Sequence, residues 1–310
     1  MSYPREGCNI LFTDPWQASP IRIATKYEGP STASGSDPII QSNKTNADKE
    51  RLMSHPLLDL ANKTAVVIGG TTGIGLALTR ALAQAGANVV PSGRRAEQVG
   101  AAVSEVKALG RRSLIQTCDV TDVTSLDQLL QAVTAEFVSV QILVNCAGRT
   151  KRMPTLDVPE SDWNAILETN LNGTLHACRV FGRHMIERSY GRIINIASIS
   201  SFVALYEVAA YSASKAAVAS LTKSLAIEWA RSGVCVNAIA PGVFRTDLNA
   251  ALLDGTERGR EFLLRTPMKR FGKLDELGGA VVFLASEAAS FVTGHVLPVD
   301  GGFLASGVNQ

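Results

Sequence analysis

The sequence predicts an α/β fold with a single doubly wound parallel sheet of about seven strands and helices on both faces. Two observations lead to this prediction. Short runs that are apolar at nearly every position alternate with helix-length segments, and a glycine-rich turn separates the first run from the first helix. Strands of parallel sheets are covered on both faces, so they lack the polar alternation of half-exposed strands.

Each strand is predicted because a short, mostly aliphatic run is flanked by turn residues. In chain order the predicted strands span residues 64–69, 88–92, 113–117, 141–145, 192–197, 234–240 and 295–299. The longer segments between them predict helices near residues 74–85, 95–109, 122–137, 162–188, 211–231 and 273–286. The crossovers between parallel strands should be right-handed.

The first 55 residues differ in composition from the rest of the chain. Residues 31–38 and 41–46 are polar runs with few apolar anchors. This composition predicts a disordered N-terminal extension over residues 1–55, followed by a single domain over residues 56–310. The periodic pattern starts just after Met53, so we expect either that Met53 is the true start or that residues 1–52 are dispensable.

Composition excludes several functional classes. The net charge of +2 gives no reason to expect nucleic acid or an anionic membrane as a partner. The 5 cysteines are widely spaced without a Cys-x-x-Cys pair, which argues against a disulfide framework or a metal site and fits a reducing cytoplasm. No apolar run approaches the roughly 18 residues that span a bilayer.

The turn after the first strand has the pattern of a phosphate-binding loop. Glycines permit a tight turn and allow backbone N–H groups at a helix N-terminus to approach a pyrophosphate. A glycine-rich loop alone is a weak signal, and its position between a strand and a helix strengthens it. The loop reads Gly69-Gly70-Thr71-Thr72-Gly73-Ile74-Gly75.

Tyr211 and Lys215 are the candidate proton-transfer residues. They are four residues apart on a predicted helix, so they project from the same face. A nearby ammonium favours the phenolate, so we expect Lys215 to lower the pKa of Tyr211. Ser198, thirteen residues before Tyr211, would hold the same substrate oxygen. A lone Tyr-x-x-x-Lys is more often a surface pair, but the glycine loop upstream favours the functional interpretation.

Together these motifs resemble the short-chain dehydrogenase/reductase family, whose fold is of the Rossmann type. Asn145-Cys146-Ala147-Gly148 resembles the family's Asn-Asn-Ala-Gly block, with Cys146 in place of the second Asn. Ser198, Tyr211 and Lys215 match the family's catalytic residues in order and spacing, and Pro241-Gly242 with Thr246 resembles the segment over the nicotinamide. The resemblance implies that Asn170 completes the catalytic set by fixing a water that relays protons to Lys215. It also implies that Lys215 binds the nicotinamide ribose.

The loop, the second strand and the resemblance together predict the cofactor site. After the second strand the chain has Gly93-Arg94-Arg95 instead of the acid that binds the ribose of NAD. Guanidinium groups bind a 2′-phosphate well, so NADP(H) is favoured over NAD(H), although the arginines are also compatible with a solvated helix start. The predicted cofactor-binding residues are Gly69, Thr71, Thr72, Gly73, Ile74, Gly75, Gly93, Arg94, Arg95, Asp119, Val120, Asn145, Ala147, Gly148, Tyr211, Lys215, Pro241, Gly242, Val243 and Thr246.

The substrate is less well defined by the sequence. Arg149, Lys151 and Arg152 follow the Asn-Cys-Ala-Gly block and would receive a carboxylate, or they form a solvated basic loop. We expect Ser198, Tyr211, Arg149 and Arg152 to bind the substrate. Residues 206–210 and the C-terminal residues 302–307 resemble the branch of gluconate 5-dehydrogenases and related sugar-acid dehydrogenases, which implies oxidation of gluconate to a 5-keto product.

Two other functions are compatible with the same residues. A 3-oxoacyl-[acyl-carrier-protein] reductase has the same catalytic set, and a cofactor-binding regulator without turnover would keep the cofactor loop. The intact catalytic set argues against the regulator. The resemblance further implies a homotetramer or homodimer in which the helices near 162–188 and 211–231 pair between subunits.

Overall fold

The computed structural model describes residues 55–246 and 249–308. Apart from His55, the predicted N-terminal extension lies outside the described residues, and so does the proposed start at Met53. Within the described residues one parallel sheet has the strand order β2-β1-β3-β4-β5-β6. The strands are β1 Thr64–Ile68, β2 Asn88–Ser92, β3 Ile142–Asn145, β4 Gly191–Ile196, β5 Val234–Pro241 and β6 Val296–Val299.

The predicted doubly wound fold is therefore confirmed, with six strands in the described residues instead of about seven. Residues 113–117 run beside β2 without forming a strand. Main-chain hydrogen bonds join the two segments only at their ends. The Val89 N–H donates to the Arg112 carbonyl (3.2 Å), and the Cys118 N–H donates to the Gly93 carbonyl (3.0 Å). Between these points the hydroxyls of Ser113 and Ser92 donate to main-chain carbonyls across the gap. Side-chain donors thus replace the regular ladder of backbone bonds.

Helices cover both faces of the sheet. They are α1 Gly73–Gln84, α2 Ala96–Ala108, α3 Val123–Phe137, α4 Glu160–Leu167, α5 Gly173–Ile186, α6 Ala209–Trp229, α7 Ala250–Leu253, α8 Glu257–Arg265 and α9 Gly278–Ala285. A π-helical turn, Glu168–Asn172, separates α4 from α5, so the single predicted helix over 162–188 is interrupted. No prediction covered α7 and α8, because α8 is rich in charge and contains Gly259 in its interior.

Two apolar layers result from the alternation of side chains along each strand. Val67 and Val144 point toward α1 and α9, where Leu78 and Leu284 are buried. The neighbouring residues point to the other face, where Phe181 of α5 is fully buried. Because both faces are covered, the strands are apolar at most positions, as the sequence pattern predicted.

The strand order places one crevice at the carboxyl ends of the strands. β1 is followed by β2 on one side and by β3 on the other, so the chain direction across the sheet reverses between β1 and β3. In open α/β sheets ligands bind outside the carboxyl ends at such a reversal. In the register Ile68 lies beside Asn145, and Asn145 lies beside Asn195, so the loops after β1, β3 and β4 begin side by side.

Candidate active site

The glycine-rich loop lies where β1 ends and α1 begins. A Cβ at Gly75 would lie 2.0 Å from the carbonyl oxygen of Gly69, and one at Gly69 would lie 2.5 Å from the Ala147 nitrogen. Both positions therefore require glycine, and the second contact joins the loop to the segment after β3. Thr72 precedes α1 without a side-chain cap, so the first N–H groups of the helix have no side-chain acceptor there. Thr71, Thr72 and Ile74 complete this turn.

The end of β2 lies beside this loop. A Cβ at Gly93 would lie 3.5 Å from the Thr71 hydroxyl, which places Gly93 next to the glycine loop. Arg94 and Arg95 follow and are exposed. Arg94 also interacts electrostatically with Asp119. Two guanidinium groups thus lie just beyond the carboxyl end of β2.

Asp119 and Val120 have structural contacts of their own. The Asp119 carboxylate accepts the N–H (3.0 Å) and the hydroxyl (2.8 Å) of Thr121. The Thr121 backbone bond holds the pKa of Asp119 below its ordinary value, against the opposing effect of partial burial, and Arg94 adds to the lowering. Val120 is buried against Gly173 at the start of α5. The Asp119 side chain therefore stabilises a turn with Thr121 in this structure.

The segment after β3 begins at the buried Asn145 and becomes exposed from Gly148 onward. Asn145 is buried, and its Nδ2 donates to Asn195 Oδ1 (2.9 Å) and to Cys178 Sγ (3.3 Å). Its side chain therefore ties β3 to β4, and a contact with the cofactor would have to come from its main chain. Gly148 is exposed, and a Cβ there would lie 3.4 Å from Asn170 Oδ1 and 3.7 Å from Lys215 Nζ.

Ser198, Tyr211 and Lys215 are brought together by β4 and α6. Ser198 follows β4 and hydrogen-bonds to the Tyr211 side chain. Lys215 Nζ lies 5.8 Å from the centre of the Tyr211 ring and donates to the Ile196 carbonyl (2.6 Å). The neighbouring Ser201 donates to the Lys215 carbonyl (2.8 Å), so its hydroxyl is bound to α6. Ser198 also accepts the Ser200 N–H (3.1 Å), which fixes its rotamer.

The pKa values in this group are governed by burial. Burial raises the pKa of the Tyr211 phenol, and the bond with Ser198 acts in the opposite direction. The expected net lowering of the Tyr211 pKa by Lys215 is therefore not found, because loss of hydration outweighs the stabilising contacts. Burial also lowers the pKa of Lys215 to about 8. The pKa of Cys146 is raised to about 11, so this thiol is neutral at pH 7.

Asn170 holds the loop after β3 in place through hydrogen bonds. It lies in the π-helical turn and is fully buried. Its Oδ1 accepts the Arg149 N–H (2.8 Å), and its Nδ2 donates to the Arg149 carbonyl (3.0 Å) and to the Ser214 hydroxyl (3.0 Å). Ser214 in turn donates to the Tyr211 carbonyl (2.6 Å). Asn170 therefore connects the basic loop to the helix that carries Tyr211 and Lys215.

The segment after β5 closes the crevice on its other side. Gly242 donates to the Val299 carbonyl (2.8 Å), and a Cβ at Gly242 would lie 2.6 Å from Asp300 Cα, so the two strand ends meet closely. Pro241 ends β5, and Val243 follows Gly242. Thr246 lies near the glycine loop, since a Cβ at Gly73 would be 3.6 Å from its methyl group.

The basic loop is largely paired with acids. Lys151 forms an ion pair with Asp162, and Arg152 Nε lies 2.6 Å from Glu207 Oε2. The Met153 N–H also donates to the Glu207 carbonyl (2.8 Å), which joins the loop after β3 to the loop after β4. Arg149 is held through its main chain, and its side chain is exposed. The structure thus places Arg152 in an ion pair within the same group of loops that holds Tyr211.

This chain is similar to known oxidoreductases over most of its length. The family model described as enoyl-(acyl carrier protein) reductase matches residues 69–304. Gluconate 5-dehydrogenase of Gluconobacter oxydans (strain 621H) is 40% identical over 255 residues, which are 82% of this chain and 100% of that protein. The 2-dehydro-3-deoxy-D-gluconate 5-dehydrogenase of Bacillus subtilis (strain 168) is 42% identical over 253 residues, 81% of this chain and 98% of the relative.

A solved structure extends the likeness to three dimensions. The gluconate 5-dehydrogenase of Burkholderia cenocepacia J2315 in complex with NADP and tartrate has a TM-score of 0.78 at 38% identity. The match covers 81% of this chain and 98% of that chain. The chain belongs to the short-chain dehydrogenase/reductase family. It is an NAD(P)-dependent oxidoreductase that acts on CH–OH groups.

The residues present fit the nicotinamide dinucleotide of a short-chain dehydrogenase/reductase. The glycine loop is packed so closely that added Cβ atoms would collide with backbone, which leaves main-chain N–H groups as the surface of the turn. The uncapped N-terminus of α1 favours an anion by its dipole and by its free donors. Both features suit a pyrophosphate.

Three residues of this short-chain dehydrogenase/reductase site were not predicted. Ser214 bridges Asn170 and the Tyr211 carbonyl, and its spacing of three residues from Tyr211 could have indicated this bond. Glu207 pairs with Arg152, and Arg258 of α8 donates to the Tyr206 carbonyl (3.2 Å). No local pattern indicates the last two contacts, because they join loops that are distant in sequence.

None of the helices in residues 55–246 and 249–308 is long and apolar enough to cross a membrane. In the same part of the chain, no group of three or more His, Cys, Asp and Glu residues is arranged to hold a metal ion.

Proposed function

We propose that this protein is an NADP(H)-dependent dehydrogenase/reductase of sugar acids such as gluconate, with the 5-keto acid as the oxidised product. The observation that carries the proposal is the convergence of Ser198, Tyr211 and Lys215 beside a basic loop at the carboxyl edge of the sheet. Relatives that share about two fifths of their residues with this chain are named for gluconate and 2-dehydro-3-deoxy-D-gluconate.

Tyr211 is proposed as the general acid and base. When bound, the nicotinamide accepts or supplies the hydride. In reduction the buried phenol gives its proton to the carbonyl oxygen, and its raised pKa keeps that proton in place at pH 7. In oxidation Tyr211 first releases its proton to solvent and then, as the phenolate, takes the proton of the substrate hydroxyl, while Ser198 holds the same oxygen by a hydrogen bond. General acid–base groups of this kind contribute about 10² to 10⁴ in rate.

Lys215 and Asn170 support this proton transfer. A pKa of about 8 leaves Lys215 mainly protonated at pH 7, so its ammonium stabilises negative charge on Tyr211 during oxidation. We assign the ribose hydroxyls of the cofactor to Lys215 as well. Asn170 positions the Arg149 backbone and, through Ser214, the first turn of α6. The water relay to Lys215 that the family resemblance implies remains a prediction.

The preference for NADP(H) is proposed from Arg94 and Arg95. Both guanidinium groups are exposed beside Gly93, where the adenosine ribose would lie, and arginine binds phosphate bidentately. The solved B. cenocepacia relative contains NADP. An Arg94→Ser variant should raise the KM for NADP⁺ by about tenfold to a hundredfold and leave the KM for NAD⁺ unchanged, because a hydrogen bond to a charged group contributes about 1.5–3 kcal/mol.

The control for this variant is Arg111→Ser, since Arg111 is an exposed arginine near the amino end of β2, away from Gly93. It should leave both KM values unchanged. If Arg94→Ser changes the KM for NAD⁺ and NADP⁺ equally, Arg94 does not recognise the 2′-phosphate and the NADP(H) preference must come from another residue or be absent.

The preference for a sugar acid is proposed from Arg149 and Arg152. Arg152 is fixed by its ion pair with Glu207, whose carbonyl accepts the Met153 N–H, and the main chain of Arg149 is fixed by Asn170. Tartrate, a hydroxy acid, is bound with NADP in the B. cenocepacia relative. A carboxylate in this position accepts charge-assisted hydrogen bonds, which are stronger than neutral ones.

The first experiment is the formation of reduced nicotinamide by the purified protein with D-gluconate, with NADP⁺ and NAD⁺ in parallel. Turnover with NADP⁺ supports both the substrate class and the cofactor preference. Turnover of acyl thioesters without turnover of gluconate would assign the chain to acyl-carrier-protein reduction instead. Binding of NADPH without turnover of any ketone or hydroxy acid would indicate a cofactor-binding regulator.

We also propose a homotetramer or homodimer. The outer face of α6 carries the small residues Ala213 and Ala216, and Ile227 is 80% exposed on the same helix. A face of small and apolar side chains favours close approach of a second helix. Light scattering coupled to gel filtration measures the mass directly, and a monomer at micromolar concentration would contradict this proposal.

A further inference from the structure

Three segments, the first of which is the basic loop, are joined by hydrogen bonds. The Met153 N–H donates to the Glu207 carbonyl (2.8 Å), and Arg258 of α8 donates from Nη1 to the Tyr206 carbonyl (3.2 Å). The first segment follows β3, the second follows β4, and α8 follows β5. All three leave the carboxyl edge of the sheet, which is the edge that holds Tyr211.

The charges in this cluster do not balance. Arg152 and Arg258 face the single carboxylate of Glu207, and Arg152 already makes the short ion pair with it (2.6 Å). Glu261, the other acid near Arg258, pairs with Arg265 (3.1 Å). Among the described residues none places a carboxylate oxygen within salt-bridge distance of Arg258. The cluster therefore carries one uncompensated positive charge.

Arg258 is held in place with most of its donors unused. Its guanidinium lies 5.3 Å from the centre of the Phe262 ring, and one N–H is used by the Tyr206 carbonyl. A guanidinium has five N–H donors in a planar fork. The side chain is partly buried, and both this burial and the neighbouring Arg152 disfavour its charged form. An anion bound between the two arginines would relieve both effects.

We propose that Arg258 is a specificity-determining residue that binds the carboxylate of the substrate together with Arg152, while Glu207 orients Arg152. This inference rests on the proposed function, because it names the group that selects hydroxy acids over neutral alcohols. The carboxylate accepts from both guanidinium groups, and Glu207 keeps Arg152 directed toward it. The selection acts through α8, an element that no sequence pattern connected to the substrate.

The test compares D-gluconate with D-gluconamide, its neutral amide, as substrates with NADP⁺. The variants are Arg258→Met, Arg258→Lys and the matched control Arg260→Met, which removes an exposed arginine from the same helix. Arg258→Met should lower the ratio of kcat/KM for gluconate over gluconamide by about tenfold or more, because charged hydrogen bonds are lost. Arg258→Lys should restore part of the ratio, and Arg260→Met should keep it.

Equal losses for both substrates in Arg258→Met, or an unchanged ratio, would overturn the proposal. Tartrate binding to the NADP-saturated protein, measured by calorimetry, gives the same comparison without turnover. If the wild type oxidises no sugar acid but tartrate affinity falls tenfold in Arg258→Met, the anion site is supported and the proposed substrate is wrong. If gluconate is oxidised while the ratio and the tartrate affinity are unchanged in Arg258→Met, only the assignment of Arg258 is wrong.

Discussion

Lys215 carries its ammonium in a position that solvent barely reaches. Its side chain is 5% exposed, and Nζ donates to the Ile196 carbonyl (2.6 Å). Loss of hydration disfavours the charged form, which lowers the pKa to about 8. Tyr211 experiences the same burial with the opposite effect on a proton, because its charged form is the deprotonated one. The shared environment therefore moves the two pKa values apart, because it raises that of Tyr211 and lowers that of Lys215.

The lowered pKa of Lys215 predicts a pH dependence of stability. Between about pH 8 and the ordinary value of 10.5, the unfolded chain keeps a proton that the folded chain has released. The free energy of unfolding should therefore rise with pH in this window, by up to about 1.4 kcal/mol per pH unit from this residue. Lys215→Met lacks this contribution. Urea unfolding of both proteins across the window measures it, and a pH-independent difference between them would contradict the prediction.

Tyr211→Phe should separate catalysis from cofactor binding. The substitution removes the hydroxyl that Ser198 contacts and keeps the ring beside Lys215. We expect turnover to fall by about 10² to 10⁴, the usual contribution of a general acid–base group. Fluorescence titration with NADPH should give an unchanged Kd. Substantial turnover in this variant would show that another group transfers the proton.

At the scale of the element, the turn between β1 and α1 shows how packing fixes residue type. Gly69 has a φ of +81°, which favours glycine, and Gly75 lies against the Gly69 carbonyl. The close approach brings the start of α1 under the loop, and the absence of a side-chain cap at Thr72 leaves the first donors directed outward. Glycine at these positions permits the tight turn and leaves backbone N–H groups accessible to an anion.

Gly75→Ala should therefore damage cofactor binding. Its Cβ would lie 2.0 Å from the Gly69 carbonyl oxygen, so the loop backbone has to move. We expect an NADPH Kd at least tenfold higher and a loss of about 1–3 kcal/mol in stability, as for other overpacked sites. Fluorescence titration and urea unfolding measure the two effects.

Gly100→Ala is the matched control for this substitution. Gly100 lies inside α2, and a Cβ there would meet nothing within 4 Å. Alanine in a helix interior should add about 0.5–1 kcal/mol of stability and leave the Kd for NADPH unchanged. Wild-type NADPH affinity in Gly75→Ala would contradict the steric argument.

At the scale of the whole molecule, the parallel sheet collects residues that are far apart in sequence. The loops that follow β1, β3 and β4 contain Gly69, Gly148 and Ser198, and they begin at neighbouring register positions. The helices on both faces bury the strands that carry this edge. The order of the strands brings the residues of such a site together, and the loops carry the functional side chains.

A chain that begins at Met53 should keep this assembly. It retains all six strands, and the 255 matched residues account for the full length of the G. oxydans relative. We expect its Tm to differ from that of the full chain by less than about 2–4 °C, which corresponds to about 1 kcal/mol at this size. Calorimetry and the gluconate assay check this. Failure to fold, or loss of activity, would show that residues 1–52 are required.

The sequence by itself determined the fold class, the glycine loop and the pairing of Tyr211 with Lys215. These features have local signals, because strand burial, helix periodicity and turn residues leave patterns within a few residues. The same patterns predicted a strand at 113–117 that did not form, since whether an extended edge segment pairs depends on which donors face it.

Only the tertiary structure decided the electrostatics of the site. The raised pKa of Tyr211 comes from burial by elements distant in sequence, and it reversed the direction that the Tyr-Lys spacing predicts. The partners of Arg152 and Arg258 lie on other loops, so no local pattern contains them. Hydration and ion pairing depend on which segments pack against each other, and local sequence patterns do not specify those contacts.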